Sequence, residues 1–90
     1  MVQFEIKITG SVQGVGFRYY VQKQARILNL NGWVRNTVDG GVLTIVQGEK
    51  EAIDTFIDYL WVGPPLSRVK NITTVEMQVV QEYTGFEVRA

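Results

Sequence analysis

The stretch VQFEIKITGSVQGVGFRYYVQKQARIL, residues 2–28, changes its hydrophobic period partway along and so indicates the fold. Over residues 2–9 apolar and polar residues alternate, which is typical of a strand with one buried face. From Phe17 onward the apolar residues return at helical spacing, which predicts a helix over residues 17–28. Asn29 tolerates the left-handed conformation that often closes a helix, so we expect the helix to end there.

The rest of the chain predicts more strands and one more helix. Alternating segments indicate three strands and a short fifth one, at residues 32–37, 42–47, 68–80 and the region of Phe86 and Val88. Asp39-Gly40 is a strong hairpin signal between the second and third strands. An apolar stripe predicts a helix over residues 49–62, and Gly63-Pro64-Pro65 ends it.

This order of elements favours one α+β domain over residues 1–90. Strand, helix, strand, strand, helix, strand is the ferredoxin-like βαββαβ arrangement. We therefore expect an antiparallel sheet of four to five strands with two helices on one face. The length suits one domain and not two.

Composition excludes several kinds of chemistry. Nine basic residues balance nine acidic ones, so the chain has no net charge to attract nucleic acid. The absence of Cys removes disulfides and thiolate nucleophiles, and the absence of His removes the commonest general base and metal ligand. We predict no metal and no cofactor. The N-terminus lacks a signal-peptide pattern and no stretch is apolar enough to span a membrane, so we expect a cytoplasmic protein without membrane partners. We also expect a monomer.

The glycine-rich segment GSVQGVGFR, residues 10–18, lies where a strand passes into a helix. Glycines there allow successive N–H groups to point into one concavity, and the helix N-terminus adds further donors. The planar guanidinium of Arg18 can pair two phosphate oxygens. The same segment can also be only a tight connection, with Arg18 as a solvated surface residue. Asn36 lies near Asp39-Gly40, so its side chain can also serve only to stabilise the turn. Periodicity alone leaves these alternatives open.

Two motifs resemble the acylphosphatase family. VQGVGFR at residues 12–18 is similar to the family's signature loop, and GWVRNTVDGGV at residues 32–42 resembles its second signature. Both occur in the family's order and separation, and the resemblance covers the whole chain. It implies the ferredoxin-like fold and hydrolysis of the carboxyl–phosphate bond of acyl phosphates to carboxylate and inorganic phosphate. It also implies that no metal, cofactor or covalent intermediate takes part.

The resemblance also implies roles for individual residues. Arg18 matches the phosphate-binding arginine, Asn36 matches the asparagine that positions the attacking water, and Thr37 beside it fits the pattern. The backbone matches the family's phosphate cradle over six residues: Gln13, Gly14, Val15, Gly16, Phe17 and Arg18. Gly41 stands where many members have a hydroxyl residue that braces the hairpin near the asparagine, so we expect this brace to be missing.

Two other functions compete with this interpretation. The first is a phosphate-binding domain of the same family that acts on carbamoyl phosphate within a larger maturation system; the end of the chain at residue 90 favours a free-standing enzyme. The second is an RNA-recognition module on the same fold. Such modules stack bases on aromatic residues of the central strands. The outward positions of the first strand, Gln3, Glu5, Lys7 and Thr9, offer no such platform.

Overall fold

Strands and helices follow one another in the predicted order. The computed structural model describes residues 1–90 and contains seven elements. They are β1 (Val2–Ser11), α1 (Phe17–Ile27), β2 (Asn31–Asn36), β3 (Val42–Gly48), α2 (Lys50–Val62), β4 (Arg68–Met77) and β5 (Phe86–Val88). After α1 the backbone passes through the left-handed region at Asn29, with φ of 56°, as the sequence predicts. The fourth strand ends at Met77, three residues earlier than predicted.

The five strands form one mixed sheet in the order β4-β1-β3-β2-β5. Four strands pair antiparallel, but β5 pairs parallel with β2, which corrects the expectation of a purely antiparallel sheet. The reason is that β4 and β5 lie at opposite edges, so no hairpin can join them. Residues 78–85 instead cross one end of the sheet, and β5 starts from the end at which β4 finishes.

A buried glutamine holds this crossing segment in place. The Gln47 amide nitrogen donates to the Gln81 carbonyl at 2.6 Å, and its amide oxygen accepts from the Tyr83 N–H at 3.0 Å. Gln47 is buried, so leaving these groups without partners would be costly. Because the segment is tied at this end, β5 enters the sheet beside β2 with its direction fixed.

Both helices pack on one face of the sheet over a single hydrophobic core. Fifteen buried residues form one cluster, drawn from the inward positions of β1, β2, β3 and β5, the two helices and the connecting segments. In β1 the inward residues Phe4, Ile6 and Ile8 are buried, as the alternation predicts. Neither helix has the length and apolar character required to cross a membrane.

Strand direction brings three chain segments to one end of the sheet. β1, β2 and β5 run the same way, so the loop after β1, the hairpin after β2 and the C-terminal residues meet there. The register sets Ile8 of β1 opposite Val42 of β3, and Val42 opposite Asn36 of β2. Asn36 therefore lies two strands away from the start of the glycine-rich loop.

Candidate active site

The loop between β1 and α1 is anchored by apolar residues on both sides. Val12 and Phe17 are buried in the core, whereas Gly14 and Gly16 are exposed and have φ of 73° and 78°. Val15 between them has no positive φ, so the backbone alternates in sign from residue to residue. This alternation turns successive N–H groups toward one side, and glycine is the residue that permits it without strain.

The loop and the first turn of α1 present a row of free backbone donors. None of the N–H groups of residues 13–19 donates to an acceptor within the protein. Gly16 caps the helix without a side-chain hydrogen bond, and no acidic residue lies in the first turn. These donors therefore combine with the positive end of the helix dipole to form a concavity suited to an anion.

Arg18 lies in this first turn, and a hydrogen bond to the C-terminal segment restrains its side chain. One Nη1 hydrogen is donated to the Arg89 carbonyl at 2.8 Å, which leaves the other guanidinium hydrogens free. Arg89 is itself fixed, because its N–H donates to the Val34 carbonyl at 2.8 Å and its guanidinium lies 4.8 Å from the Trp33 ring centroid. The part played by Arg89 could not be predicted from the sequence, because a backbone acceptor carries no residue signature.

Asn36 is the last residue of β2, and its side-chain amide has no hydrogen-bond partner in the protein. The side-chain hydrogen bonds that stabilise the turn are made by its neighbours instead. The Thr37 hydroxyl donates to the Asp39 carboxylate, and the Gly41 N–H is shared between the Thr37 hydroxyl at 3.1 Å and Asp39 at 3.2 Å. The Asn36 amide is therefore available to a ligand.

Arg18 and Asn36 border the same cavity, of about 110 Å³. The remaining lining residues are Val12, Gly14, Gly16, Phe17 and Tyr19. No acidic side chain lines it, so the Arg18 charge is not neutralised within the cavity.

Three residues predicted for the site do not line this cavity. The Val15 side chain packs against the core, and the Thr37 side chain belongs to the hairpin. The Gln13 amide also turns to the hairpin, where it donates to the Thr37 and Gly41 carbonyls at 2.7 and 2.8 Å. Of the six cradle residues, the structure brings Gly14, Gly16, Phe17 and Arg18 to the cavity wall.

We expected Gly41 to remove the brace that a hydroxyl residue would supply at this position. The structure leaves no room for such a side chain there. A Cβ at this position would lie 2.8 Å from the Ile8 carbonyl oxygen and 3.1 Å from the Thr37 hydroxyl. The backbone of β1 would therefore have to shift. The hairpin is braced by Thr37 and Asp39 instead, which bind the Gly41 N–H directly.

The mouth of the cavity is bordered by an exposed aromatic residue. Tyr19 lines both the cavity and a wide, open groove of about 540 Å³ between α1 and β5. Tyr20 does not reach the mouth, because its hydroxyl donates to the Tyr59 carbonyl at 2.7 Å. Burial, together with the neighbouring Tyr59, raises the pKa of Tyr20.

The carboxylates of the chain lie apart: no three of them are close enough to hold a metal ion.

Hydrogen bonds strongly lower the pKa of the Asp39 carboxyl group. Its exposed carboxylate accepts from the Thr37 hydroxyl, from Lys7 Nζ at 2.9 Å and from the Gly41 N–H. These hydrogen bonds favour the charged form and lower the pKa of Asp39 from 3.8 to about 2. The stabilisation is complete above the unfolded-state pKa and is lost as the pH falls through the folded-state pKa.

Asp39→Asn should therefore lower stability at neutral pH by a small amount that disappears in acid. We expect the difference in melting temperature from the unmodified chain to be constant above pH ~4 and to shrink toward pH ~2. Thermal unfolding at several pH values measures it. Asp58→Asn is the control, because Asp58 is exposed and has no ion pair. A difference for Asp39→Asn that stayed constant down to pH ~2 would contradict the assigned hydrogen bonds.

Comparison with known proteins gives one consistent result. The acylphosphatase family model matches residues 4–88. An acylphosphatase from Archaeoglobus fulgidus is 40% identical over 88 residues, which cover 98% of each chain. The crystal structure of acylphosphatase from Bacillus subtilis superposes with a TM-score of 0.97 at 37% identity and full coverage of both chains.

A larger protein also contains this fold. The crystal structure of T. kodakarensis HypF matches with a TM-score of 0.88 and 35% identity over all of this chain, which spans 12% of that protein. The relatives of similar length, in contrast, are named acylphosphatase and match from end to end. The matches in sequence and structure together establish that the chain belongs to the acylphosphatase family, enzymes that act on small-molecule acyl phosphates.

Proposed function

We propose that the chain hydrolyses the carboxyl–phosphate bond of acyl phosphates without a metal, with Arg18 and the loop backbone binding the phosphate and Asn36 positioning the attacking water. One observation carries the proposal. Free backbone donors, an unneutralised arginine and a free carboxamide meet at one small cavity whose lining contains no carboxylate, histidine or cysteine. These groups can bind an anion and a water, but they cannot form a covalent intermediate.

The phosphoryl group is held by charge and by preorganised donors. The N–H groups of residues 13–18 do not have to break a protein hydrogen bond to bind it, because they make none. Arg18 adds a fork of donors at a fixed orientation, since the Arg89 carbonyl already restrains its side chain. Donors that are in place before the reaction stabilise developing charge without reorganisation.

The leaving group explains why the site needs no general acid. An acyl phosphate releases a carboxylate, whose conjugate acid has a pKa of about 4, so it departs without protonation. Phosphoryl transfer passes through a loose transition state, in which the attacking water needs little deprotonation. Positioning and electrostatic stabilisation then supply most of the catalysis.

Asn36 is suited to hold that water. Its amide both donates and accepts hydrogen bonds, so it can fix the orientation of a water in line with the departing carboxylate. It borders the phosphate cavity, and no protein group competes for it. Every group in this mechanism comes from one chain, so we propose that a monomer is sufficient.

The second candidate is action on carbamoyl phosphate within a larger system, which the match to HypF supports. The phosphate-binding groups would be the same in both cases. The two functions differ in what the isolated chain does, because only the first requires efficient turnover of simple acyl phosphates by these 90 residues alone.

Hydrolysis of a simple aryl acyl phosphate in the presence of a chelator tests the proposal. We expect full activity after exhaustive chelation, and competition by inorganic phosphate, because the cradle binds the phosphate directly. Release of inorganic phosphate and loss of the acyl phosphate are both measured, with carbamoyl phosphate compared in parallel. Activity that disappeared in chelator and returned with magnesium or zinc would contradict the metal-free mechanism.

Arg18→Ala should lower kcat/KM by at least ~10²–10³-fold, because it removes the one fixed charge at the phosphate. Arg18→Lys keeps the charge but loses the two-pronged geometry, so it should remain strongly impaired. Lys23→Ala is the control, since Lys23 is an exposed cation on the same helix. Near-normal activity of a folded Arg18→Ala variant would remove Arg18 from the site.

Asn36→Ala should lower kcat strongly and leave phosphate affinity almost unchanged, because the cradle and Arg18 are untouched. Asn36→Asp should weaken both, since it places a negative charge beside an anionic substrate. Asn31→Ala is the control at the other end of β2, where the amide oxygen accepts from the Gly85 N–H in a structural contact. If Asn36 served only the turn, stability would fall and turnover per folded molecule would be intact.

A further inference from the structure

The Gln13 side chain joins the glycine-rich loop to the hairpin that carries Asn36. Its amide nitrogen donates one hydrogen to the Thr37 carbonyl at 2.7 Å and the other to the Gly41 carbonyl at 2.8 Å. These two carbonyls lie at the two ends of the hairpin loop, and the hairpin is closed by the Thr37 N–H donating to the same Gly41 carbonyl at 3.0 Å. Both hydrogens of the amide are therefore used.

No other side chain of the cradle makes such a contact. Among residues 13–18 the only other side chain with a hydrogen bond is Arg18, which turns to the C-terminal segment. Gln13 follows the buried Val12, and Thr37 follows Asn36 directly, so the two hydrogen bonds span from the base of the cradle to the residue next to Asn36. They therefore connect the cradle directly to the hairpin that carries Asn36.

We propose that Gln13 is a positioning residue, whose carboxamide holds Asn36 in register with the phosphate cradle. This inference rests on the proposed function. Gln13 acts through the hairpin and not on the substrate, because its amide is consumed by two carbonyls and it does not line the cavity. The cradle itself is shaped by Gly14, Gly16 and the buried neighbours on either side, so phosphate binding does not depend on this contact.

The contact requires a group that donates twice. Two acceptors converge on the amide nitrogen, so leucine, which has a similar shape, leaves both without this donor. A glutamate carboxylate would face two carbonyl oxygens with acceptors only, and just its protonated form can donate one hydrogen bond. Gln13→Glu should therefore regain part of its activity as the pH falls toward the ordinary glutamate pKa of about 4.3.

A double-mutant cycle with Asn36 tests the inference. We expect Gln13→Leu to lower kcat on an aryl acyl phosphate on the order of 10–100-fold, because misplacement of a reacting group by ~1 Å has costs of this size. The inhibition constant for inorganic phosphate should change less than about twofold, since the cradle is intact. In an Asn36→Ala background the same change should add almost nothing, because residues that act through one another are not additive.

Two further measurements make the result decisive. Gln22→Leu is the matched control, since the Gln22 amide also donates to a backbone carbonyl, that of Phe86 at 3.0 Å, but away from the hairpin. Its effect on kcat should be small and the same with and without Asn36. The kcat of Gln13→Glu, relative to that of the unmodified enzyme, should rise as the pH is lowered, whereas the relative kcat of Gln13→Leu should not.

Several outcomes would overturn the inference. If Gln13→Leu lowered kcat and phosphate affinity in parallel, its effect would lie on the cradle. If it lowered kcat equally in the Asn36→Ala background, its effect would be independent of Asn36. Normal kcat in Gln13→Leu together with impaired Asn36→Ala would refute the positioning role alone. Normal kcat in Asn36→Ala would instead refute the proposed mechanism, and the positioning role with it.

Discussion

The register across β1, β3 and β2 is the constraint on which the candidate site depends. Ile8, Val42 and Asn36 lie in one row, so the residue that ends β2 is placed two strands from the start of the glycine-rich loop. Asn36 shares the inner face of β2 with the buried Val34. A shift of one residue would turn every side chain of the strand to the other face and would remove Asn36 from the cavity. The apolar residues on the inner face prevent that shift, because Ile8 and Val42 are both buried.

A site without a carboxylate, histidine or cysteine is possible because the fold holds the remaining groups in place before the substrate binds. The free N–H groups of the loop can bind an anion without breaking a protein hydrogen bond. Arg18 is restrained by the Arg89 carbonyl, which follows the parallel strand β5 at the same end of the sheet. Asn36 is free because Thr37 and Asp39 carry the hairpin. The small size of the chain is therefore compatible with catalysis, since positioning requires rigid geometry and not many functional groups.

Periodicity predicted most of the fold, whereas Arg18 and Asn36, which the structure brings to one cavity, were singled out by the resemblance of two motifs to a known family. Alternation and helical spacing report which side chains are buried, so β1, α1 and α2 could be placed within a few residues. The direction of β5 has no local signal, because it is set by the Gln47 contacts with residues 81 and 83. The parts played by the Arg89 carbonyl and the Gln13 amide arise from contacts between distant segments, which no spacing reveals.

The central claim is that one anion site is formed by the loop backbone, Arg18 and Asn36, and a titration of the ¹⁵N-labelled chain with inorganic phosphate measures it most directly. We expect saturable shifts that are largest for the backbone amides of residues 13–19 and the side-chain signals of Arg18 and Asn36. Amides of the open groove between α1 and β5, such as those of Thr84 and Glu87, should change little. Shifts centred on that groove, or none at saturating phosphate, would contradict the account.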